Sequence, residues 1–467
     1  MRFPWIFLSV LLIAGPALAA TELTIYSPAG MQDSGGQGYA WVKESRTLKL
    51  SAGRQKLTLE DLPTSADASS VQLVAEAAAF QVISQQFRFD LVSQDALLKH
   101  FLGREIMVER IAGDKILREE GTLLQASPLT LQKADGSVLS LMQYDALQFP
   151  KLREGLALKP ALLAEIDAKK SGTAPADIYY QTGGMGWWVD YTLYLNNAAN
   201  VGNFGANLHI TNHSGKSFSD AALSVMAGNI PQQPQQENYA RAPRPMMAKA
   251  MSADMAGGGV SESVAGDAHR YQVQGKVSLP DNSTTQLLFQ PAAEMPVSKI
   301  YRYQGTQNYG YGGTYLERGF GLMPRQEIAV ALKFKNTKSA LPAGTMRVFD
   351  EGGVFLGQSG LSRVSENEES EISLGTAFDI TAERAQEDFA RDDARKQIDE
   401  TIRITLKNRS KKEVTVEVME NLYRSEKAQV LEKSHDFTKL DANTLKFPVK
   451  IGAGKEAVLR YKVRYNW

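Results

Sequence analysis

Trp187-Trp188-Val189-Asp190-Tyr191-Thr192-Leu193-Tyr194-Leu195 is the stretch on which the fold turns. Trp187, Val189, Tyr191, Leu193 and Leu195 alternate with Trp188, Asp190, Thr192 and Tyr194. Successive side chains of a strand point to opposite faces, so the first set offers one apolar face to a core. After a Gly/Asn-rich connection come Leu208-His209-Ile210-Thr211, a turn at Asn212-His213-Ser214-Gly215, and a return strand through Leu223 and Val225. From Ile178 to Val225 the chain therefore reads as the middle of a β-sandwich.

Working toward the N-terminus, Arg2 precedes the apolar run Ile6 to Ala14, a Gly15-Pro16 break and Ala17-Leu18-Ala19. A basic start, a short apolar run and a small-x-small end make residues 1–19 a secretory signal peptide, too short for a spanning helix. The chain has no cysteine, so an exported product folds without disulfides. Of 52 basic and 52 acidic residues the leader removes only Arg2. A near-neutral chain has no electrostatic draw toward nucleic acid or an anionic membrane surface. No transmembrane segment is expected once the leader is gone.

Residues 20–98 hold short alternating segments such as Leu23-Thr24-Ile25-Tyr26 and Val71-Gln72-Leu73-Val74, divided by Gly, Pro, Ser and Asp. They read as a small N-terminal β unit, closed by a brief helical link over Leu91 to Phe101. Residues 99–150 carry four or five compact strands with Asp135-Gly136 as a tight-hairpin signal, which suits an SH3-like barrel. Such barrels bind peptides elsewhere, but a fold does not fix a function. Residues 151–375 form a central β-sandwich, entered through a connector in which Leu162-Leu163 and Ile166 point to a short helix. Pro231 to about His269 is rich in Pro, Gln, Met, Ala and Gly with Tyr239 as its one aromatic, and reads as a disordered loop, 231–269. Met246, Met247, Met251 and Met255 are soft ligands for Cu(I), but with no cysteine or fixed geometry they read as incidental. Residues 376–467 form an immunoglobulin-like sandwich, with Phe378 and Ile380 on one face and Ile402, Ile404 and Leu406 on one face. The charged stretch Glu383 to Glu400 reads as two long strand ends joined by a polar loop.

With these segments in place the chain resembles the DUF4139 family of bacterial proteins of unknown function. The resemblance rests on blocks in order: Trp187-Trp188-Val189-Asp190-Tyr191; Ile210-Thr211-Asn212-His213-Ser214-Gly215-Lys216-Ser217-Phe218; Leu341-Pro342-Ala343-Gly344 with Arg347-Val348-Phe349 and Gly357; and Leu374-Gly375, Ile404-Thr405-Leu406-Lys407-Asn408 and the Tyr461-to-Trp467 run. They cover roughly 178 to 467. Such proteins often carry tryptophan where this chain has Phe218. The resemblance implies a β-rich exported or envelope protein and supplies no catalytic residues.

No motif for chemistry stands out. His209 and His213 are four apart but straddle a strand end and a turn, with no third ligand at metal spacing, so no metal or cofactor is expected. Gly357-Gln358-Ser359-Gly360 falls one residue short of a nucleophile elbow, and the glycines at 310, 312 and 313 lack the Lys-Ser/Thr of a phosphate loop. Asn212-His213-Ser214, Asn282-Ser283-Thr284 and Asn408-Arg409-Ser410 match a glycosylation acceptor but read as turns. The expectation is an exported protein, periplasmic or secreted, acting as a non-catalytic binding or structural module toward an envelope protein or polymer. Its contact surface is placed at the tyrosine-rich loop with Tyr309, Tyr311 and Tyr315. The alternatives are an envelope hydrolase built from distant carboxylates and, because the chain ends on alternating Leu459, Tyr461, Val463, Tyr465 and Trp467, an outer-membrane β protein.

Overall fold

A computed structural model describes residues 20–26, 38–88, 94–112, 115–150, 160–228, 260–265, 268–305, 315–319, 326–425 and 427–467. The signal-peptide range 1–19, Tyr309, Tyr311 and the expected loop from 231 to 259 lie outside them. The chain is mainly β, with strands gathered into several sheets and one short α-helix, Gln94–His100, among the described residues. It divides into two compact units: 1–187, 209–255 and 263–286 in the first, and 188–208, 256–262 and 287–467 in the second.

In the first unit the main sheet contains β1 (Thr21–Tyr26), β2 (Tyr39–Leu50), β3 (Gln72–Ala75) and β4 (Gly172–Gly183). β5 (Met185–Leu195) and β6 (Val201–Asn212), mostly of the second unit, follow in the chain, and β7 (Phe218–Ala227) returns to pair with β1 in parallel. β1 is antiparallel to β2, and β2 to β4 along its whole length. β4 takes β3 on its other edge through Ala176–Tyr179. Alternation is the cause: along β4 Ala174, Ala176, Ile178 and Tyr180 are buried while their neighbours are not. Ala161–Ala168, where a short helix was expected, is the centre strand of a three-stranded sheet with Gly53–Glu60 and Phe80–Arg88 on its two sides. Leu162, Ala164, Ile166 and Ala168 share one buried parity, and two flanking ladders outweigh the helix preference of Ala, Leu and Glu.

Residues 105–148 form an open five-stranded sheet in which no ladder joins the edge strands Val138–Leu141 and Ala146–Gln148. Its core is Leu98, Phe101, Ile106, Val108, Leu123, Leu129, Leu131 and Leu141. The hairpin expected at Asp135-Gly136 is there: Gly136 N–H donates to the Lys133 carbonyl at 2.9 Å and Lys133 N–H to that of Ser137.

The second unit is built on β8 (Ser283–Gln304), β9 (Gln326–Lys335), β10 (Gly344–Phe349), β11 (Phe355–Leu361), β12 (Glu369–Asp392), β13 (Gln397–Asn408), β14 (Val414–Asn421), β15 (Thr444–Ile451) and β16 (Glu456–Asn466). One sheet runs β11-β10-β5-β6-β8-β9-β12-β13-β16, ending at Lys427–Lys433, while β14 and β15 pair with each other and β14 with β8. Glu383 to Glu400 is the expected pair of strand ends, closed by a turn between Asp392 and its partner Gln397. The core gathers Ile328, Ile380, Ile402, Ile404, Leu406, Val416, Val418, Phe447, Val449, Leu459, Tyr461, Val463 and Tyr465. Within the range expected as a loop, 231–269, Val260–Ala265 is a strand, and the strand Ala268–Val273 begins at its end.

Candidate binding groove

The feature of the second unit least explained by packing is a bulge in β12. From Glu369↔Lys335 to Ala377↔Ile328 it runs antiparallel to β9, and pairing resumes only at Thr381↔Glu327. Phe378, Asp379 and Ile380 thus have no opposite residue on β9. A bulge re-aims side chains, because extra residues on one strand break the alternation of faces. Phe378 and Ile380, expected on one face, are parted by it: Ile380 is 2% exposed and Phe378 is 97% exposed. Arg409 N–H donates to the Asp379 carbonyl at 2.8 Å and holds the bulge from the next turn.

Beside the bulge is a groove of about 300 Å³, lined by Val330, Leu356, Leu374 and Phe378 with Lys299 and Asp379. β11, at the end of its sheet and paired among the described residues with β10 alone, brings Leu356 to this groove. Val354, Phe355 and Leu356 are all exposed. The near-elbow sequence Gly357-Gln358-Ser359-Gly360 lies within this strand, where Ser359 sits in a β ladder opposite Met346. Exposed apolar side chains that are contiguous, rather than scattered, mark surfaces that meet something other than water.

Two ion pairs of the second unit are enclosed instead. Arg384 on β12 donates from Nε and Nη2 to Glu420 Oε2, both at 3.1 Å, and neither side chain is exposed. Tyr461 gives its hydroxyl to the same Oε2. Burial pushes the Tyr461 hydroxyl well above its usual range, and the Glu420 charge adds to this. Arg424 donates from Nε to Glu400 at 3.0 Å and from Nη1 to the carbonyls of Tyr315 and Glu317 at 2.7 and 2.9 Å. Its guanidinium also lies 5.1 Å from the Phe389 ring and 5.2 Å from that of Tyr423. Arg384 and Glu420 hold each other, and Arg424 ties Glu400 to the main chain of residues 315–317, so both pairs act as anchors, although Glu400 Oε1 and Arg424 Nη2 have no hydrogen-bond partner among the described residues. Tyr315, named from sequence as a contact residue, is partly buried, with its backbone carbonyl fixed by Arg424.

A second cleft, about 400 Å³, lies in the five-stranded sheet of the first unit and includes Glu105 and Glu120. The histidine pair is not gathered with other ligands: His213 Nδ1 is 3.3 Å from Asn282 Oδ1. No three His, Cys, Asp or Glu side chains group as a metal holder among the described residues.

The family described as a domain of unknown function, DUF4139, matches residues 176–467. The chain belongs to the DUF4139 family. No curated protein matches it. The groove, its bulge and both enclosed ion pairs fall within the DUF4139 portion. So do two of the blocks noticed in the sequence, which turn out to be parallel partners: Val189 to Tyr194 on β5 pair with Gly344 to Phe349 on β10. Tyr191 donates its hydroxyl to the Pro342 carbonyl at 2.7 Å, and Arg347 meets Asp190 at 2.9 Å. A side chain at 344 would have its first carbon 2.3 Å from the Val189 carbonyl oxygen, so the DUF4139 Leu-Pro-Ala-Gly block ends on glycine because two backbones meet there. Phe378 was visible in the sequence only as one more alternating apolar residue. A count of ladder partners, which a single sequence does not contain, is what marks it as exposed.

Proposed function

We propose that this DUF4139 protein is an exported component of the bacterial cell envelope. It acts as a non-catalytic binding or structural module and meets an envelope protein or polymer at the groove beside Phe378. The supporting observation is Phe378 itself, a bulged aromatic left almost wholly in water next to Leu356 and Leu374. Keeping such a side chain out of the core forgoes roughly 2 kcal/mol of burial, which is recovered if a partner covers it. Residues 1–19 support export.

The test is sedimentation of the purified chain with isolated cell-envelope fragments. The Phe378→Asp variant should fold as before and lose co-sedimentation; undiminished binding would remove the groove from the contact surface. Export is checked by the N-terminal sequence of the mature protein, expected to begin at Ala20.

A hydrolase remains a second reading because Glu105 and Glu120 line one cleft, and paired carboxylates are what glycoside hydrolysis requires. Cleavage of envelope glycan by the native chain, abolished in Glu120→Gln, would establish it. Absence of cleavage would retire it.

A further inference from the structure

The two units carry the same turn. Asn212 donates Nδ2 to the carbonyls of Lys216 and Leu279 at 2.8 and 2.9 Å, and its Oδ1 accepts from Ser214 N at 3.1 Å and Oγ at 2.8 Å. Asn408 donates Nδ2 to the carbonyls of Lys412 and Ile451 at 2.8 and 3.2 Å, and its Oδ1 accepts from Ser410 N at 3.0 Å and Oγ at 2.7 Å. The residue after each asparagine sends its N–H to a neighbouring strand: His213 to the Gly184 carbonyl, Arg409 to that of Asp379. The surrounding strands repeat as well. β7 runs parallel to β1, and β14 runs parallel to the end of β8. β1 is antiparallel to β2 and β2 to β4, just as β8 is to β9 and β9 to β12. Gly183 of the first unit and Phe378 of the second therefore hold equivalent places. So do Thr182 and Ala377, Gln181 and Thr376, and Ser214 and Ser410.

In the first unit these places are taken by a short segment of the chain itself, a turn followed by a single β-bridge. Ser65 N–H donates to the Ser214 carbonyl and Gly183 N–H to the Ser65 carbonyl, both at 3.0 Å. Asp67 N–H donates to the Gln181 carbonyl at 2.9 Å, and Ala66 opposes Thr182 as an antiparallel bridge. Thr64 lies so close that a side chain on Gly215 would begin 1.9 Å from its Oγ1. In the second unit the counterparts Thr376, Ala377, Phe378, Asp379 and Ser410 all line the groove. β11 stands where β3 does in the order of the chain, yet no ladder joins it to β12, whereas β3 pairs with β4. The Ser410 carbonyl accepts from Gly454 N–H at 3.1 Å; the Ser214 carbonyl serves two donors, Ser65 N and Thr64 Oγ1, as a carbonyl's two lone pairs permit.

We infer that the groove takes up an extended polypeptide segment of a partner protein, added antiparallel along the bulged edge of β12 as Thr64–Asp67 is added along β4. The inference rests on the binding-module reading and names the partner's chemistry. Main-chain pairing supplies affinity in strand addition, and pockets for alternate side chains supply selectivity. Val330, Leu356, Leu374 and Phe378 call for apolar residues at alternate positions of the incoming strand. The lining is mixed, with Tyr301, Thr376 and Ser410 beside the apolar side chains, Lys299 and Asp379, so a peptide is favoured over a glycan by the backbone edge that Thr64–Asp67 takes in the first unit.

The probe is a displayed library of random segments of about eight residues, a common strand length, selected on the full chain and counter-selected on Phe378→Asp. The strongest binder is then synthesised twice, once plain and once N-methylated at alternate amides. Expected results are alternating apolar sequences, binding about tenfold weaker to Phe378→Asp, slowed amide exchange confined to β11 and to 372–379, and no binding of the N-methylated form. Equal binding of the N-methylated form, protection elsewhere, or no enriched segment would overturn the inference. A concentration-dependent dimer of the chain that Phe378→Asp abolishes would assign the groove to a second copy and also overturn it. Protection of the same amides by envelope glycan fragments instead of peptide would overturn it while leaving the binding-module reading intact; loss of every ligand at the groove would sink both.

Discussion

Arg384 and Glu420 form an ion pair from which water is wholly excluded, with both side chains at zero exposure. Burial works against the Arg384 charge, but Glu420 together with Tyr461 and Tyr423 outweighs it, and the guanidinium is pushed well above its ordinary range. In this pair each member makes the other tolerable.

Removing one partner of an enclosed pair leaves the other uncompensated, which costs about 3–5 kcal/mol. Glu420→Ala is expected to lower the urea midpoint of the second unit accordingly. The double variant Arg384→Met with Glu420→Leu should recover most of that loss. Gly305→Ala should also destabilise, since its new carbon would lie 1.4 Å from Glu420 Oε1. A silent Gly305→Ala would contradict the placement of the carboxylate.

The first unit has its own enclosed carboxylate. Glu44 accepts from Lys216 Nζ at 2.6 Å, Arg46 Nη2 at 2.6 Å and the Tyr180 hydroxyl. Burial raises its pKa, yet Lys216 and Arg46 more than offset this and hold it below the usual carboxylate range. A depressed folded pKa means stability that is present above the unfolded value of about 4.3 and lost as pH falls through the folded value. Lys216→Met should therefore destabilise at pH 7, and its deficit against the native chain should narrow as pH falls from about 4.3 through the lower folded pKa of Glu44, beneath which Glu44 is neutral in both. Thermal melts across that range measure it; a deficit constant with pH would exclude Glu44 as the reason.

Asn408 closes its turn through both ends of one amide. Asn408→Ala abandons enclosed carbonyls at a cost of about 1–3 kcal/mol. Asn408→Asp should be worse, because a carboxylate then faces the Lys412, Ile451 and Gly452 carbonyls that the amide had served. The order of the two denaturation midpoints decides it, and the same order is expected at Asn212.

Phe378 and Ile380 are two residues apart with opposite fates. Ile380→Ala should cost about 2–4 kcal/mol as a core truncation, while Phe378→Ala should stay within about 0.5 kcal/mol. A large loss of stability in Phe378→Ala would show that the ring packs inside and not at the groove.

Much of this was legible in the chain. The stripe Trp187, Val189, Tyr191, Leu193 and Leu195 is buried as its spacing requires, and the long strands about Asp393 form despite their charge. Leu162 to Ile166 was misread because three or four apolar residues fit a helix or a strand equally; the ladders on either side settled it. The groove was missed for a related reason. A bulge is a mismatch between two strands, and only one of the two is visible at Phe378.

Alternation and breaker residues by themselves determined that this is a β protein, since a period of two allows a one-sided apolar face only in a strand; membership of the DUF4139 family rests on the ordered sequence blocks within residues 176–467. Which edges find partners was decided by tertiary structure alone. The same Asn-x-Ser turn stands beside a strand edge covered by Thr64–Asp67 in one unit and, in the other, beside an edge that no ladder covers among the described residues. Local sequence sets how a strand faces, but its hydrogen bonds are completed by residues far along the chain, and their arrival or absence is a property of the folded whole.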